Sequence, residues 1–307
     1  MALAPKRILG LEINAGSVGG VVVRHDQQLP AIERICLEPL PSGVLKPSRS
    51  GPNLIDSQAV LGQLKLVRQK LPSGELGAAV SLPDSSGRMV LLELDESWED
   101  RQEAEKIILW KLKKRLPHVV PEQHIDFQVL ERQQGKPALL LVTMMAARVL
   151  GQYDQLLQQA GFSSIWVGLH QMSILQAFAP ATGNQGTTLT VSWYGGTLGI
   201  VFCRDGMPFF WRTKQLSGPG GDAAALDLEL HGSLIACHRL WPGSTVEQVF
   251  CFCLADARQM LGELLHSLAG QVPVQYLALE ERFSRTTTPL LVPQGAAAAV
   301  AAALARR

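Results

Sequence analysis

The chain has 307 residues, of which 47% are hydrophobic and 18% charged, and its net charge is +1. That size and composition describe a folded protein with a sizeable core in two lobes or domains, and exclude an intrinsically disordered chain. The near-zero charge, with no basic stripe interleaved with aromatics, excludes a nucleic-acid partner.

In chain order, residues 8–23 read as strand, small-residue turn, strand. Glu12, Asn14 and several glycines interrupt this apolar run, so it is neither a signal peptide nor a spanning helix. An antiparallel continuation reaches Leu37, and a Pro/Ser/Gly connector covers residues 39–52. Leu54, Ile55, Leu61, Leu64, Val67 and Leu71 recur at helical spacing, and a strand follows at 76–82.

Residues 84–162 read as a unit of their own, in the order strand, helix, strand, strand, helix: a small α+β module. Ser97 and Asp100 form a capping-box-like pair ahead of its first helix. That helix puts Ala104, Ile108, Leu112 and Leu116 on one stripe and stops at Pro117. Ile125, Phe127 and Val129 alternate as a half-buried strand, residues 139–145 form a fully apolar one, and a helix over 148–160 closes at Gly161.

A strand at 164–167 and a helix at 169–179, whose His170 reads as an ordinary core or solvated histidine, return the chain to lobe one (1–180). Residues 182–186 lead into lobe two (181–307), which opens with a second strand–turn–strand at 187–202. Its glycine loop at 217–221 lacks the Lys and Ser/Thr of a phosphate loop and reads as a turn. Helix-rich sequence to Leu240, a strand at 249–254, a helix at 255–268, a strand at 274–279 and an alanine-rich helix at 296–307 complete it. That last helix is too short to cross a bilayer, so no direct membrane insertion is expected and a cytoplasmic location is. The five cysteines (Cys36, Cys203, Cys237, Cys251, Cys253) contain no CxxC pair and read as small buried hydrophobes rather than metal ligands.

The two hairpins carry the functional signal. A glycine-rich hairpin turn exposes backbone N–H groups that a phosphate can approach, because glycine has no Cβ to block it. The residues so placed are Glu12, Asn14, Gly16 and Ser17 in the first hairpin and Gly195, Gly196 and Thr197 in the second. An ATP-hydrolysing site of this design calls for an aspartate beside each turn, to hold Mg²⁺ and orient water. Here the first turn has Glu12, and the second has Ser192, Trp193 and Tyr194. The reading is a vestigial nucleotide cleft with no catalytic residue, no metal and no resident cofactor: a pseudo-ATPase.

The chain resembles the actin-like proteins of type IV pilus assembly, the PilM family, and more distantly the cytoplasmic part of type II secretion GspL proteins and the cell-division protein FtsA. The resemblance lies in Trp98, Glu103-Ala-Glu105 leading to Leu116-Pro117, Ile125-Asp-Phe-Gln-Val-Leu130, Leu140-Leu-Val-Thr-Met-Met-Ala-Ala-Arg148, Ala160-Gly161 and the closing run from Pro293 to Leu304. It implies a two-lobed actin-like (ribonuclease H-like) α/β fold with the α+β module inserted in lobe one. Carried over, the family's adenosine turn falls on residues 253–257, ordinarily glycine-rich and here without glycine.

The resemblance also implies a non-enzymatic scaffold, peripheral to the inner membrane, that binds the N-terminal cytoplasmic peptide of a PilN-like membrane protein. The groove is expected between the module and the body of lobe one, with Ile107, Trp110, Leu139, Leu141, Thr143 and Met145 as its walls. A motor ATPase or a second copy of the chain are further expected partners. Two alternatives stay open: an ATP-binding conformational switch of the same machine, and a phosphotransferase of the actin/sugar-kinase fold.

Overall fold

The structure is a computed structural model that describes residues 6–25, 29–72, 77–116, 122–132, 136–182, 185–216, 222–243, 245–283, 292–293 and 295–305. Pro117 and the glycine loop at 217–221 lie outside them.

Lobe one is built on a five-stranded sheet in the order β3-β2-β1-β4-β8: β1 (Lys6–Ile13), β2 (Ser17–His25), β3 (Ala31–Pro39), β4 (Gly77–Leu82) and β8 (Ser163–Leu169). The first three strands are antiparallel, and β1, β4 and β8 run parallel. Side chains alternate across β1. Leu9, Leu11 and Ile13 meet the buried faces of α1 (Ser57–Lys70) and α3 (Ala147–Gln159), which supply Leu64, Val67, Tyr153 and Leu156. Asp56, accepting from Ala59 N, caps α1, so that helix starts later than the spacing from Leu54 suggests.

The opposite face of the sheet, with Ile8 and Val21, meets α4 (His170–Phe178) and α7 (Ala297–Leu304). All of α7 is buried. The sequence reading assigned this helix to lobe two, but the chain crosses back, and α7 lies against β1, β2, β4 and α4 of lobe one. Its alanines permit close approach, and glycines in the sheet receive them. A Cβ on Gly10 would overlap the carbonyl oxygen of Ala299, and one on Gly19 would overlap that of Gly295.

Lobe two repeats the plan with the order β11-β10-β9-β12-β13: β9 (Thr187–Tyr194), β10 (Thr197–Arg204), β11 (Met207–Gln215), β12 (Gln248–Cys253) and β13 (Val274–Tyr276). Its helices α5 (Ala223–Leu240) and α6 (Arg258–Ala269) pack Leu226, Leu230, Leu261 and Leu265 against Val191, Val249 and Cys251. All five cysteines are free thiols.

The inserted module is an antiparallel sheet, β5-β7-β6, made of β5 (Arg88–Leu94), β7 (Ala138–Ala146) and β6 (Gln123–Glu131), with α2 (Arg101–Arg115) on one face. Leu92, Leu94, Leu140, Val142 and Met144 pack with Ile108 and Leu112 of that helix. The cap is Asp100, accepting from Glu103 N, while Glu103 accepts from Glu99 N; the capping pair therefore sits three residues after the expected Ser97.

Candidate functional site: the inter-lobe cleft

The turns of the two hairpins face one another across a cleft of about 640 Å³. Asn14, Gly16 and Ser17 line one wall, and Tyr194, Gly195, Gly196 and Gln215 line the other. The two turns are made differently. In the first, the Asn14 side chain folds over its own loop, and its Oδ1 accepts from Gly16 N and Ser17 N, both at 2.9 Å, and from Ser17 Oγ. The amide oxygen stands where an anion would meet these backbone donors. In the second, Gly195 (φ 58°) and Gly196 (φ 74°) are both left-handed, as a two-residue type I′ turn requires, with Tyr194 paired to Thr197.

Glu12 does not enter the cleft. It sits on the α7 face of β1, is fully buried, and both of its carboxyl oxygens are engaged. Oε1 accepts from Asn14 Nδ2 (2.9 Å) and from the Tyr194 hydroxyl (2.7 Å). Oε2 accepts from Ala298 N (2.9 Å) and Ala299 N (3.3 Å) in the first turn of α7. Tyr194 Oη in turn accepts from Gly295 N at 3.2 Å. One carboxyl group thus ties together the first hairpin, the second hairpin and the closing helix. Burial, followed by the neighbouring Glu12, pushes the Tyr194 phenol well above its usual pKa, so it stays a donor.

A second bridge lies below. Gln171, at the start of α4, donates from Nε2 to Thr197 O at 3.0 Å, and its Oε1 accepts from Ser192 Oγ. Its backbone N–H donates to Asp84 Oδ1 at 3.1 Å. The Asp84 carboxyl group is buried, with Oδ2 unpartnered among the described residues, and burial lifts its pKa to about 7. His170 pairs through Nδ1 with Ser81 Oγ at 2.9 Å and meets the Tyr194 ring edge-on at 5.7 Å. Burial lowers its pKa, against a smaller upward pull from Glu12. Thr197 is buried, donating to Gln215 Oε1.

Of the seven expected cleft residues, Asn14, Gly16, Ser17, Gly195 and Gly196 come together on the cleft walls, while Glu12 and Thr197 turn inward to structural partners. Among the described residues no group of three or more His, Cys, Asp or Glu is placed to hold a metal ion. Sequence reasoning missed Tyr194, Gln171 and Asp84 as parts of this seam. Gly10 was the available signal: a strand glycine on the same face as Glu12 marks a closely approaching backbone.

The six groove residues separate. Ile107 and Trp110 belong to α2, whereas the odd-numbered residues of β7 (Leu139, Leu141, Thr143 and Met145) point to the sheet face that α2 does not cover. The alternation of β7 puts these two groups on opposite sides of one sheet, so they cannot wall a single groove. Trp110 is 52% exposed, with Lys114 Nζ 3.4 Å from its ring centroid. Leu141 and Met145 are buried, Met145 within the lobe-one core, while Leu139 and Thr143 are half-buried.

The family model of the type IV pilus assembly protein PilM matches residues 10–181. No curated protein matches the sequence. Among solved structures, the chain is similar to a protein of a PilM–PilN type IV pilus biogenesis complex, at 19% identity and a TM-score of 0.77 over 97% of both chains. It is also similar to a Bacteroides thetaiotaomicron protein with an actin-like ATPase fold and unknown function, at 11% identity and a TM-score of 0.54 over 89% of this chain and 91% of that one. A third similar structure is the cytoplasmic domain of EpsL, an inner-membrane component of the Vibrio cholerae type II secretion system. There the identity is 12% and the TM-score 0.50, over 85% of this chain and 95% of that one. The fold is therefore actin-like. Among the described residues no helix is long and apolar enough to cross a membrane.

Proposed function

The chain belongs to the PilM family of type IV pilus assembly proteins, and we propose that it works there as a non-enzymatic cytoplasmic scaffold whose nucleotide cleft is degenerate. The observation that carries the non-enzymatic part is Glu12. The one acid beside the first turn has both oxygens committed to Tyr194, Asn14 and the backbone of α7. With Asn14 also covering the turn's N–H groups, the residues present do not fit a Mg²⁺-bound triphosphate. A titration of Mg·ATP into the purified chain, sensitive to a dissociation constant of about 1 mM, tests this. No saturable heat supports the scaffold. Saturable binding favours the nucleotide-switch reading, for which the open cleft of about 640 Å³ is the supporting feature.

The partner follows from the kinship with a protein solved in complex with PilN. The peptide we assign is the N-terminal cytoplasmic tail of a PilN-like membrane protein, which would hold the scaffold at the inner membrane. Its seat is the part of the module sheet's α2-free face that lies beyond Met145, where Leu139 and Thr143 are half-buried beside Leu141 and polar residues of β6 flank them. Such a face offers apolar pockets to alternate side chains of an extended peptide. Anisotropy of the labelled tail peptide is expected to saturate with the wild-type chain and with Trp110→Ala. Thr143→Lys, at a half-buried and substitutable position, is expected to weaken it by at least about tenfold. Equal loss in Trp110→Ala, or none in Thr143→Lys, would move the site to the α2 side.

A further inference from the structure

The outer side of α2 gathers basic charge that the fold leaves unspent. Lys106, Trp110, Lys113 and Lys114 stand at i, i+4, i+7 and i+8, so they share the face turned away from the buried Ala104, Ile108 and Leu112. All four are exposed, as is Arg115 at the end of the helix. Trp110 lies among the lysines with half its surface open, and Lys114 Nζ rests on its ring.

The neighbouring acids are committed elsewhere. Lys111, on the flank of the helix, takes both Asp95 (2.8 Å) and Glu96 (3.3 Å). Arg101 pairs with Glu105 and Asp126, and Glu103 accepts from Glu99 N at the helix start. Among the described residues none of Lys106, Lys113, Lys114 and Arg115 has an ion-pair partner. In the sequence acids and bases alternate here and no basic stripe stands out. The fold separates them, sending the acids to the first turn and to the loop ahead of α2 and the bases to its outer face.

A face of this kind fits an anionic bilayer. It is the convex side of a helix, which suits a plane better than a threaded peptide. Three of its four bases are lysines, point charges on flexible stems, where recognition of particular carboxylates on an acidic partner would favour the fixed fork of arginine. A leaflet of anionic lipids attracts such charges through its overall potential and asks for no set geometry. A half-exposed tryptophan among them belongs at the headgroup level.

We propose that the outer face of α2 makes a peripheral contact with an anionic lipid surface, through Lys106, Lys113, Lys114 and Arg115 with Trp110 among them. Four charges orient a protein on a membrane rather than anchor it, since stable attachment takes a second signal. The tethered tail proposed above supplies that signal, so the role of the contact in the cell rests on that reading. The lipid contact itself does not, because vesicles carry no tail. The two also lie on opposite sides of the module sheet and do not compete.

Co-sedimentation of the full chain with vesicles of phosphatidylglycerol and phosphatidylcholine in equal parts, up to about 5 mM lipid, is expected to carry the chain down in about 0.05 M salt and release it in about 0.5 M. Vesicles of phosphatidylcholine alone are expected to leave it in solution. Each base near such a surface is worth about fivefold in partition. Lys113→Glu with Lys114→Glu is therefore expected to lower partition at least about twentyfold, at the wild-type melting temperature because both side chains are exposed. Lys46→Glu with Lys65→Glu, at exposed positions of lobe one, changes the net charge equally and is expected to stay within about threefold of wild type. Tryptophan emission is expected to shift to the blue on the anionic vesicles, and not to do so in Trp110→Phe. No binding to anionic vesicles, equal binding to both kinds, equal loss in the two lysine pairs, or a blue shift that Trp110→Phe leaves unchanged would each overturn the proposal. So would polyglutamate or duplex DNA that binds through Lys113 and Lys114 while vesicles do not. None of these outcomes touches the peptide assignment, which is read by anisotropy without lipid.

Discussion

The two faces of β1 solve the same packing problem in opposite ways. On one face, Leu9, Leu11 and Ile13 press into α1 and α3, a layer of large aliphatic and aromatic side chains. On the other, Ile8, Gly10 and Glu12 receive α7, whose small side chains bring backbone against backbone. The first face is held by apolar area, which is non-directional and tolerant of shape. The second is held by close approach and by a buried carboxyl group that takes up N–H groups of a helix end otherwise left without partners. The acid on that second face is a structural pin, and its position next to a phosphate-type turn disguises the role.

The sharpest way to break this contrast is Glu12→Ala. It strips the acceptors from Ala298 N, Ala299 N, Asn14 and Tyr194 at a buried site, and each unsatisfied buried group costs about 1–3 kcal/mol. A loss above about 3 kcal/mol in denaturant unfolding is expected, with Glu12→Gln recovering part of it through the one oxygen it keeps. An unchanged midpoint would mean that Glu12 is not the pin. Next comes Gly10→Ala, whose Cβ has to displace the Ala299 carbonyl; overpacking of this kind costs about 1–3 kcal/mol. Hydrogen exchange should localise the loosening to α7.

Much of the fold was legible because its signals are local. The Leu61, Leu64 and Val67 stripe, the hairpin at Gly195-Gly196 and the apolar run of β7 each declare an element within a dozen residues. The end of lobe two was not, because α7 pairs with residues near the start of the chain, and an alanine-rich helix has no sequence feature that names its neighbour. The cleft was half legible. Asn14, Gly16 and Gly195 can be found from turn chemistry, but a buried carboxyl beside a turn reads as a ligand until its far partners, Tyr194 and Ala298, are seen. The groove failed for a simpler reason. Period-two alternation told which β7 residues share a face, but not which face α2 covers.

The polar side of the sheet should also announce itself through pH. Asp84 accepts from Gln171 N at the start of α4, and its pKa stands at about 7 in the folded chain against an ordinary 3.8. Between those values the folded protein keeps a proton that the unfolded chain has released. The contribution is therefore complete below the unfolded value and is lost as pH rises through 7. From pH 6 to pH 8 the loss is about 1.4 kcal/mol, one pKa unit's worth. Asp84→Asn, which keeps an acceptor for Gln171 N, is expected to flatten that slope in melts taken across the range. An equal slope in the variant would assign the pH dependence to other groups.

The smallest effect belongs to the aliphatic face. Leu11 is fully buried and packs in the apolar α1/α3 layer. Leu11→Met conserves volume, and methionine's unbranched chain can re-thread the same space, so the expected cost is below about 1.5 kcal/mol. Leu11 and Gly10 are chain neighbours, and both substitutions keep the residue apolar. If Leu11→Met cost as much as Gly10→Ala, the two faces would be equally rigid and the contrast between them would be lost. A clear gap between the two, read from chemical denaturation under one set of conditions, would locate the strict geometry of β1 on the face that meets α7.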